Sequence, residues 1–253
     1  MLDYTLSGRV AVLTMRRPEV RNAVNGELAA AIEAGIDRLE GDDEAWVGVL
    51  AGEGPVFSAG ADLRSIASGD VLSLQTDRGG FAGITRRSRS KPIIAAVDGP
   101  ALAGGCEIVL ACDLVVASTA AVFGLPEVKR CMVAAAGGPF RLATALPRAV
   151  AMEMVLTGDP LPAARAHALG MVNELVEPGQ ALEGALRLAA RIVASSPAAV
   201  RESRELLVSA GRDGEEELWT RSAEAFARVA ASEDFVEGLR AFAEGRAPVW
   251  QAR

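Results

Sequence analysis

The sequence predicts an α/β fold that continues into an all-helical C-terminal part. Short buried strand patterns alternate with helix patterns up to about residue 180, and from there onward only helix patterns occur. The 253 residues are enough to bury roughly 70% of the extended chain's surface, in one core or two closely joined cores. Half of the residues are hydrophobic, but aromatic residues are few: seven Phe, three Trp and one Tyr. The core is therefore expected to consist of small aliphatic side chains with close backbone approach.

The chain begins with a predicted hairpin and a long helix. Leu2–Leu6 and Arg9–Met15 are apolar or alternating, and the turn dipeptide Ser7-Gly8 separates them. Asn25 is placed to cap the following helix, and Gly41 is placed where its end would take a left-handed residue. Apolar residues recur between them at helical spacing, namely Leu28, Ile32, Ile36 and Leu39.

The middle of the chain alternates short strands with helices. The predicted strands are Trp46–Ala51, Ile93–Val97, Leu114–Ala117, Ala121–Phe123 and Met171–Val176. The predicted helices are Gly104–Cys112, a pair from Gly137 to Thr157 divided by Pro147, Pro162–Leu169, and then Gln180–Ser196, Pro197–Ala210, Glu215–Ala231 and Asp234–Glu244. Residues 65–90 have weak periodicity and are expected to be helical or irregular.

Composition excludes several classes of function. A net charge of −7 and few aromatic residues argue against nucleic-acid binding, which uses basic surfaces and stacking side chains. The longest apolar stretch, Pro92–Ser118, is interrupted by acidic residues and falls short of the ~20 uninterrupted residues of a membrane span. The N-terminus lacks a signal-peptide pattern, and three cysteines fit a reducing compartment. We therefore expect a cytoplasmic protein without nucleic-acid or membrane partners.

Common catalytic and metal-binding patterns are absent from the sequence. His167 is the single histidine and lies in a helical stretch near Gly170, so a Ser-His-Asp triad is not expected. Metal-ligand spacing of Cys and His does not occur, and neither GxxxxGK[ST] nor GxGxxG is found. The sequence thus predicts no metal site and no phosphate-binding loop of these types.

Two glutamates stand in unusual surroundings. Glu107 lies in the run ALAGGCEIVLACDLVV, where an unpaired buried carboxylate would cost several kcal/mol. It is either a functional acid or one tied to an arginine or capping the helix that begins at Gly104. Glu127 lies in FGLPEVKR and is either functional or an exposed turn acid beside Lys129 and Arg130.

Two glycine- and alanine-rich segments could expose backbone N–H groups. One is FSAGADL at residues 57–63, for which the alternative interpretation is an ordinary tight turn. The other is Gly104-Gly105 at the start of a predicted helix. Exposed backbone donors of this kind are what an oxyanion hole requires.

Together these blocks resemble the crotonase (enoyl-CoA hydratase/isomerase) superfamily. The likeness runs from about Arg9, through RRPEVRNAVN, FSAGADL, KPIIAAVDGPALAGGCEIVLACDLVVAS, FGLPEVKR and AAAGGPFRL, to FVEGLRAFAEGRAP, and the two acids are twenty residues apart. The resemblance implies a spiral of strand–strand–helix repeats in residues 1–195, with the CoA and catalytic sites. It also implies a C-terminal helical oligomerisation region, residues 196–253, and a homotrimer or a hexamer made of two trimers.

The resemblance also implies an acyl-CoA thioester substrate and no separate cofactor. It places oxyanion-hole donors at the backbone N–H groups of Ala61 and Gly104, and catalytic acids at Glu107 and Glu127. The CoA- and substrate-binding positions that it implies are Arg21, Ala23, Val24, Ala59, Asp62, Leu63 and Arg64. Arginines and a lysine near these segments, at 16, 17, 21, 64, 86, 87, 89 and 91, are expected to supply groups that face the CoA phosphates.

The presence of both acids favours hydration of a trans-2-enoyl-CoA over isomerisation, which typically proceeds without the first glutamate. The chain departs from the family's usual pattern at Ala103 and Cys131, where glycine is common, and in GPFRL in place of GTQRL. The first departure is expected to be mild. PEVKR and AAAGG also resemble carnitinyl-CoA dehydratase-like members, so a dehydratase of a polar 3-hydroxyacyl-CoA and an isomerase remain alternatives. An alternative of another class is a non-catalytic scaffold that binds acyl-CoA or RNA. RNA binding would call for a basic exposed helix, whereas helix Asn25–Glu40 is net acidic.

Overall fold

The computed structural model describes residues 1–70 and 72–251. Residue 71 of the segment expected to be irregular, and residues 252–253 of the predicted C-terminal region, lie outside the described residues. The strands are β1 (Leu2–Ser7), β2 (Val10–Met15), β3 (Val47–Gly52), β4 (Gln75–Thr76), β5 (Gly80–Phe81), β6 (Ile93–Val97), β7 (Ala101–Leu102), β8 (Leu114–Ser118), β9 (Val122–Gly124), β10 (Leu161–Pro162) and β11 (Glu174–Val176).

Helices make up most of the remaining secondary structure. The α-helices are α1 (Gly26–Gly41), α2 (Leu63–Ala67), α3 (Gly104–Ala111), α4 (Gly138–Ala145), α5 (Arg148–Thr157), α6 (Ala163–Ala168), α7 (Ala181–Val193), α8 (Pro197–Ser209), α9 (Glu215–Ala230) and α10 (Glu233–Glu244). Short 3₁₀ helices cover Pro18–Val20, Leu72–Leu74 and Pro126–Arg130.

The main sheet has six strands in the order β1-β2-β3-β6-β8-β11. The hairpin β1–β2 is antiparallel, as predicted, and each other neighbouring pair is parallel. A second sheet has the order β10-β9-β7, and β4 pairs with β5. The strand–strand–helix succession and the helical C-terminal part confirm the predicted fold class.

Helices cover both faces of the main sheet, so its central strands are buried on both sides. Helix α1 packs against β1 and β2, and its residues Ile32 and Ile36 are fully buried. On the opposite face α7 packs against β3, β6 and β8, and its own residues Ala185 and Ala189 are fully buried. This core is built largely from Ala, Val, Ile and Leu, as the low aromatic content predicts.

The structure corrects three local predictions. Gly41 is the last residue of α1 rather than a left-handed residue beyond it, and the helix ends at Asp42 in extended conformation. The predicted strand from Met171 is shorter, because its paired part begins at Glu174. The two-residue strands β7 and β10 have no pattern in the sequence, since their partners are distant strands.

The C-terminal helices α8, α9 and α10 leave large apolar side chains in solvent. These include Trp219, Phe226, Leu239 and Phe242, of which Phe242 is 90% exposed. The division into residues 1–195 and 196–253 and the oligomerisation role stay predictions. No helix within residues 1–70 and 72–251 is both long and apolar enough to cross a membrane.

Candidate active site

A cavity of about 1050 Å³ lies where the 59–64 segment, the start of α3 and the Pro126–Arg130 helix meet. Ten of the eleven predicted site residues line it, namely Arg21, Ala23, Ala59, Ala61, Asp62, Leu63, Arg64, Gly104, Glu107 and Glu127. The exception is Val24, which is fully buried behind the cavity wall. Its N–H donates to the Gly60 carbonyl at 2.7 Å and its carbonyl accepts from the Asp62 N–H at 2.8 Å. The substrate-binding prediction for Val24 is therefore wrong, because its role is to hold this segment.

Two backbone N–H groups at the cavity wall are free to bind a ligand. The pairing with Val24 uses the Gly60 carbonyl and the Asp62 N–H, so the polar groups of Ala61 point away from Val24. Gly104 is the first residue of α3 and has no earlier helical carbonyl to bond. Among the described residues, neither the Ala61 nor the Gly104 N–H donates a hydrogen bond within the protein.

Close backbone contact brings these two donors together. A Cβ added at Gly60 would lie 2.7 Å from the Gly104 nitrogen, and one added at Gly105 would overlap the Ser58 carbonyl oxygen. Ser58 Oγ donates to the Asn22 carbonyl at 2.9 Å and accepts from the Gly60 N–H at 3.2 Å. The glycine-rich sequence therefore permits a contact that any side chain would prevent.

The two departures at positions where the family commonly has glycine both occur at positive φ. Ala103, which precedes α3, has φ +52° and ψ −129°, and Cys131 has φ +55° and ψ +39°. Residues other than glycine rarely adopt these angles, and such a residue costs on the order of 1–3 kcal/mol. The expected mildness of Ala103 concerns the Gly104 N–H, and that N–H makes no hydrogen bond among the described residues. The cost of the departure falls instead on the backbone of Ala103.

Glu107 lies in α3, is 3% exposed and borders the cavity. Its Oε1 accepts hydrogen bonds from the N–H groups of Ala136 at 2.8 Å and Gly138 at 2.9 Å. Burial raises the pKa of this carboxyl, and the two N–H donors and the Arg141 charge oppose the rise. The alternatives of an arginine-tied or helix-capping acid do not apply, because backbone donors outside α3 hold the carboxylate.

Glu127 lies in the 3₁₀ helix and is half-buried. Its Oε2 is buried and has no hydrogen-bond partner among the described residues. Burial raises its pKa, and the Glu107 charge raises it further. Lys129 pairs with Asp159 at 2.5 Å instead of with Glu127. The alternative that Glu127 is an exposed turn acid is therefore wrong.

The basic residues near the cavity divide into paired and unpaired groups. Arg16 pairs with Asp3 and Glu53, Arg17 with Asp62, Arg87 with Asp37, and Arg89 with Asp113, while Lys91 donates to the Leu39 and Asp42 carbonyls. None of these five lines the cavity. Arg21, Arg64 and Arg86 do line it and are the members of the predicted set that are available to an anionic ligand.

Several cavity residues escaped the sequence analysis. Phe81 covers the start of α3, since a Cβ at Gly104 would lie 2.5 Å from its ring. The guanidinium of Arg141 donates to the Ala136 carbonyl at 3.1 Å and to the Thr85 carbonyl at 2.5 Å. Burial lowers its pKa. The FRL motif contains Arg141, but no periodicity indicates which carbonyls it binds.

His167 is exposed, and its Nδ1 lies 2.9 Å from the Val172 carbonyl oxygen. It does not border the cavity, in agreement with the expectation that it takes no part in a triad. Within the described part of the chain, no cluster of His, Cys, Asp and Glu is arranged to hold a metal ion.

Comparison with known proteins gives full-length matches. A family model described as enoyl-CoA hydratase/isomerase matches residues 5–253. A carnitinyl-CoA dehydratase of Salmonella typhi is 38% identical, over 100% of this chain and 98% of the relative. A 2,3-dehydroadipyl-CoA hydratase of Escherichia coli K12 is 36% identical, over 97% of this chain and 96% of the relative.

Solved structures agree with these matches. An enoyl-CoA hydratase from Mycobacterium tuberculosis H37Rv has a TM-score of 0.96 at 41% identity, covering 100% of this chain and 99% of that one. A carnitinyl-CoA hydratase from Mycobacterium avium has a TM-score of 0.79 at 45% identity, covering 100% and 98%. These relatives are named as hydratases or dehydratases, which are carbon–oxygen lyases, and their names differ in the acyl group. The predicted fold and enzyme class are therefore confirmed.

Proposed function

The chain belongs to the enoyl-CoA hydratase/isomerase family, and on that basis we propose that it adds water to the 2,3-double bond of a trans-2-enoyl-CoA thioester. The observation that carries this proposal is the shared cavity of Glu107, Glu127 and two unbonded N–H groups, those of Ala61 and Gly104. Hydration needs an acceptor for a water proton, a donor to carbon 2 and stabilisation of an enolate. The cavity has candidate groups for each need.

The N–H groups of Ala61 and Gly104 are proposed to bind the thioester oxygen. Attack of water at carbon 3 places negative charge on that oxygen, and the rigid contact between Gly60 and Gly104 fixes both donors before the reaction. Removing one such donor typically costs about 3–4 kcal/mol of transition-state stabilisation. Coenzyme A is part of the substrate, so this scheme uses no separate cofactor.

The two acids are assigned different tasks. Glu107 has one oxygen fixed by the N–H groups of Ala136 and Gly138, so its other oxygen is oriented to hold the water. Glu127 has a buried oxygen without a partner in the described residues and a raised pKa, which suits proton exchange. Glu127 takes a proton from the water as the carbon–oxygen bond forms, and then gives a proton to carbon 2 of the enolate.

The CoA moiety is proposed to lie along residues 21–23 and 59–64. Arg21 and Arg64 line the cavity there and form no ion pair with any residue of 1–70 or 72–251, so they can meet phosphate groups. Asp62 instead pairs with Arg17 at 3.1 Å and caps α2 through the Arg64 N–H. It would act by shaping this segment.

A homotrimer or a hexamer of two trimers is proposed for the assembly. Trp219, Phe226, Leu239 and Phe242 expose apolar surface on α9 and α10, and soluble chains seldom leave such a surface uncovered. Further copies of this chain would cover it. Mass measurement in solution tests this point, because a stable monomer would contradict it.

The function is tested by incubating the protein with crotonyl-CoA and following loss of the conjugated-thioester absorbance. We expect hydration to the 3-hydroxyacyl-CoA, with Glu127→Gln slower by orders of magnitude and the exposed-acid control Glu177→Gln unchanged. The dehydratase alternative uses the same groups in reverse on a polar 3-hydroxyacyl-CoA, so it is distinguished by a higher kcat/KM for dehydration of that substrate than of the 3-hydroxyacyl-CoA formed from crotonyl-CoA. Isomerisation of a 3-enoyl-CoA without hydration would overturn the proposal, as would binding without turnover.

A further inference from the structure

Unpaired arginines are concentrated around the cavity. Arg21, Arg64, Arg86 and Arg130 line it, and none forms an ion pair or a side-chain hydrogen bond among the described residues. Most other arginines of the described chain are held by acids or carbonyls. Of the four, Arg21 and Arg64 lie on the side assigned to CoA, whereas Arg86 lies on a different wall.

The wall that contains Arg86 runs from the proposed oxyanion hole toward Glu107. It begins at Phe81, whose ring covers Gly104, and continues to Thr85, whose carbonyl holds Arg141. Arg141 also holds the Ala136 carbonyl, and the N–H of Ala136 binds Glu107. Residues 81–86 therefore border the part of the cavity that an acyl chain would enter beyond the thioester.

The root of the Arg86 side chain is fixed, while its charged end is free. The Arg86 N–H donates to the Gly79 carbonyl at 2.7 Å. Its methylene stem packs against Gly80, where an added Cβ would lie 2.8 Å from the Arg86 Cγ. The residue as a whole is exposed and has no acidic neighbour at ion-pair distance. It is thus a positioned cation without a partner in the described chain.

Arg86 also borders a second cavity of about 410 Å³, and a comparison with its neighbours there is informative. Arg87 pairs with Asp37, and Arg89 and Arg204 both pair with Asp113 at 3.0 and 2.9 Å. Those arginines are neutralised within the fold. Arg86 is not, so its charge remains to act on a ligand.

The charges of the acyl side favour an anion. Arg86, Arg130 and Arg141 contribute three cations there, and the acids on that side are Glu107 and Glu127, which the proposed chemistry uses. Resting on the proposed function, we propose that the acyl group of the substrate ends in a carboxylate and that Arg86 binds it. Arg86 is then a specificity-determining residue, and an acyl group that ends in a quaternary ammonium is repelled.

The test compares two substrates that differ only in terminal charge: a trans-2-enedioic acid carried as its mono-CoA thioester, and the methyl ester of its free carboxyl. We expect wild type to hydrate the acid with the higher kcat/KM. We expect Arg86→Gln to reduce the acid-to-ester ratio of kcat/KM by about 10- to 100-fold, the usual effect of losing a charged hydrogen bond. Arg86→Glu should reduce the acid-to-ester ratio further, and it should raise kcat/KM for an analogue whose acyl group ends in trimethylammonium.

Arg148→Gln is the matched control, since Arg148 is an exposed arginine outside the cavity, forms no ion pair within the described part of the chain, and its loss changes net charge equally. It should leave the ratio unchanged. An acid-to-ester ratio of kcat/KM near one in wild type would overturn this inference and leave the hydratase proposal intact. The same holds if the ratio is unchanged in both Arg86 variants. If neither substrate nor crotonyl-CoA is hydrated, the proposed function fails and the inference fails with it.

Discussion

The buried carboxylate of Glu107 accepts a hydrogen bond from the backbone N–H of Gly138, with 2.9 Å between Oε1 and nitrogen. This bond joins α3 to the first residue of α4. A Cβ added at Gly138 would lie 2.8 Å from Leu125 Cδ1 and 3.1 Å from the same Oε1, so a side chain there would press on Leu125 and on the carboxylate. The arrangement fixes one oxygen of the acid, so its second oxygen has a defined direction in the cavity.

The pH dependence of hydration should reflect the raised carboxyl pKa values. Burial and the Glu107 charge raise the pKa of Glu127 above its ordinary 4.5. A base must be ionised to accept a proton, so kcat/KM should fall as the pH decreases through this raised value. Glu107→Gln removes the like charge, so the fall in the remaining kcat/KM should occur at lower pH than in wild type. An acid limb at or below the ordinary carboxyl range in wild type would contradict the assignment.

Replacing Glu107 by Gln should stabilise the protein at neutral pH. Burial raises the folded-state pKa of Glu107, so the folded state binds more protons and loses stability as the pH rises from the unfolded pKa through the folded one. Gln keeps an oxygen for both N–H donors and carries no charge. We expect Tm to rise by roughly 2–4 °C at pH 7, the shift for about 1 kcal/mol in a domain of this size.

The gain in Tm should shrink near pH 4, where wild-type Glu107 is protonated. Glu177→Gln serves as the control and should not change Tm at either pH. A Tm of Glu107→Gln below that of wild type at pH 7 would mean that the two N–H donors outweigh burial.

Ala103→Gly should increase the free energy of unfolding by about 1 kcal/mol, because glycine adopts the observed φ of +52° without strain. Chemical denaturation measures this change. Ala143→Gly is the control, since Ala143 is exposed inside α4, where glycine should destabilise by roughly 0.5–1 kcal/mol. A loss of stability in both variants would show that Ala103 is not strained.

Gly60→Ala should abolish hydration, because its Cβ would press on the Gly104 nitrogen and separate the two proposed donors. Gly69→Ala provides a matched control. Gly69 has φ +84° against +86° for Gly60, but nothing lies within 4 Å of its added Cβ. Both variants should lose stability through backbone strain, and Gly69→Ala alone should keep its kcat. Equal loss of kcat in both variants would remove the contact from the mechanism.

The sequence predicts this fold well where a local pattern decides the structure. Ile93–Val97 is a strand as predicted, and Asn25 caps α1 through the Leu28 N–H at 3.0 Å. Prediction fails where a distant partner decides it: β7 and β10 are strands because of β9.

The same distinction applies to the site. The resemblance placed Glu107 and Glu127 at the cavity, but the N–H groups that bind Glu107 lie about thirty residues away and have no signal in their side chains. Val24 was assigned to substrate binding because it adjoins binding positions in the sequence, but its side chain is buried in the core. Strain at Ala103 was not foreseen either, because φ depends on how β7 enters α3.

The central claim is that Glu107 and Glu127 act as one unit on a single water molecule. It is tested most directly by kcat for crotonyl-CoA hydration in wild type, Glu107→Gln, Glu127→Gln and the double variant. We predict that each single variant loses several orders of magnitude and that the double variant loses about as much as the worse single one. Near-normal kcat in either single variant, or a double loss equal to the product of the two, would contradict the claim.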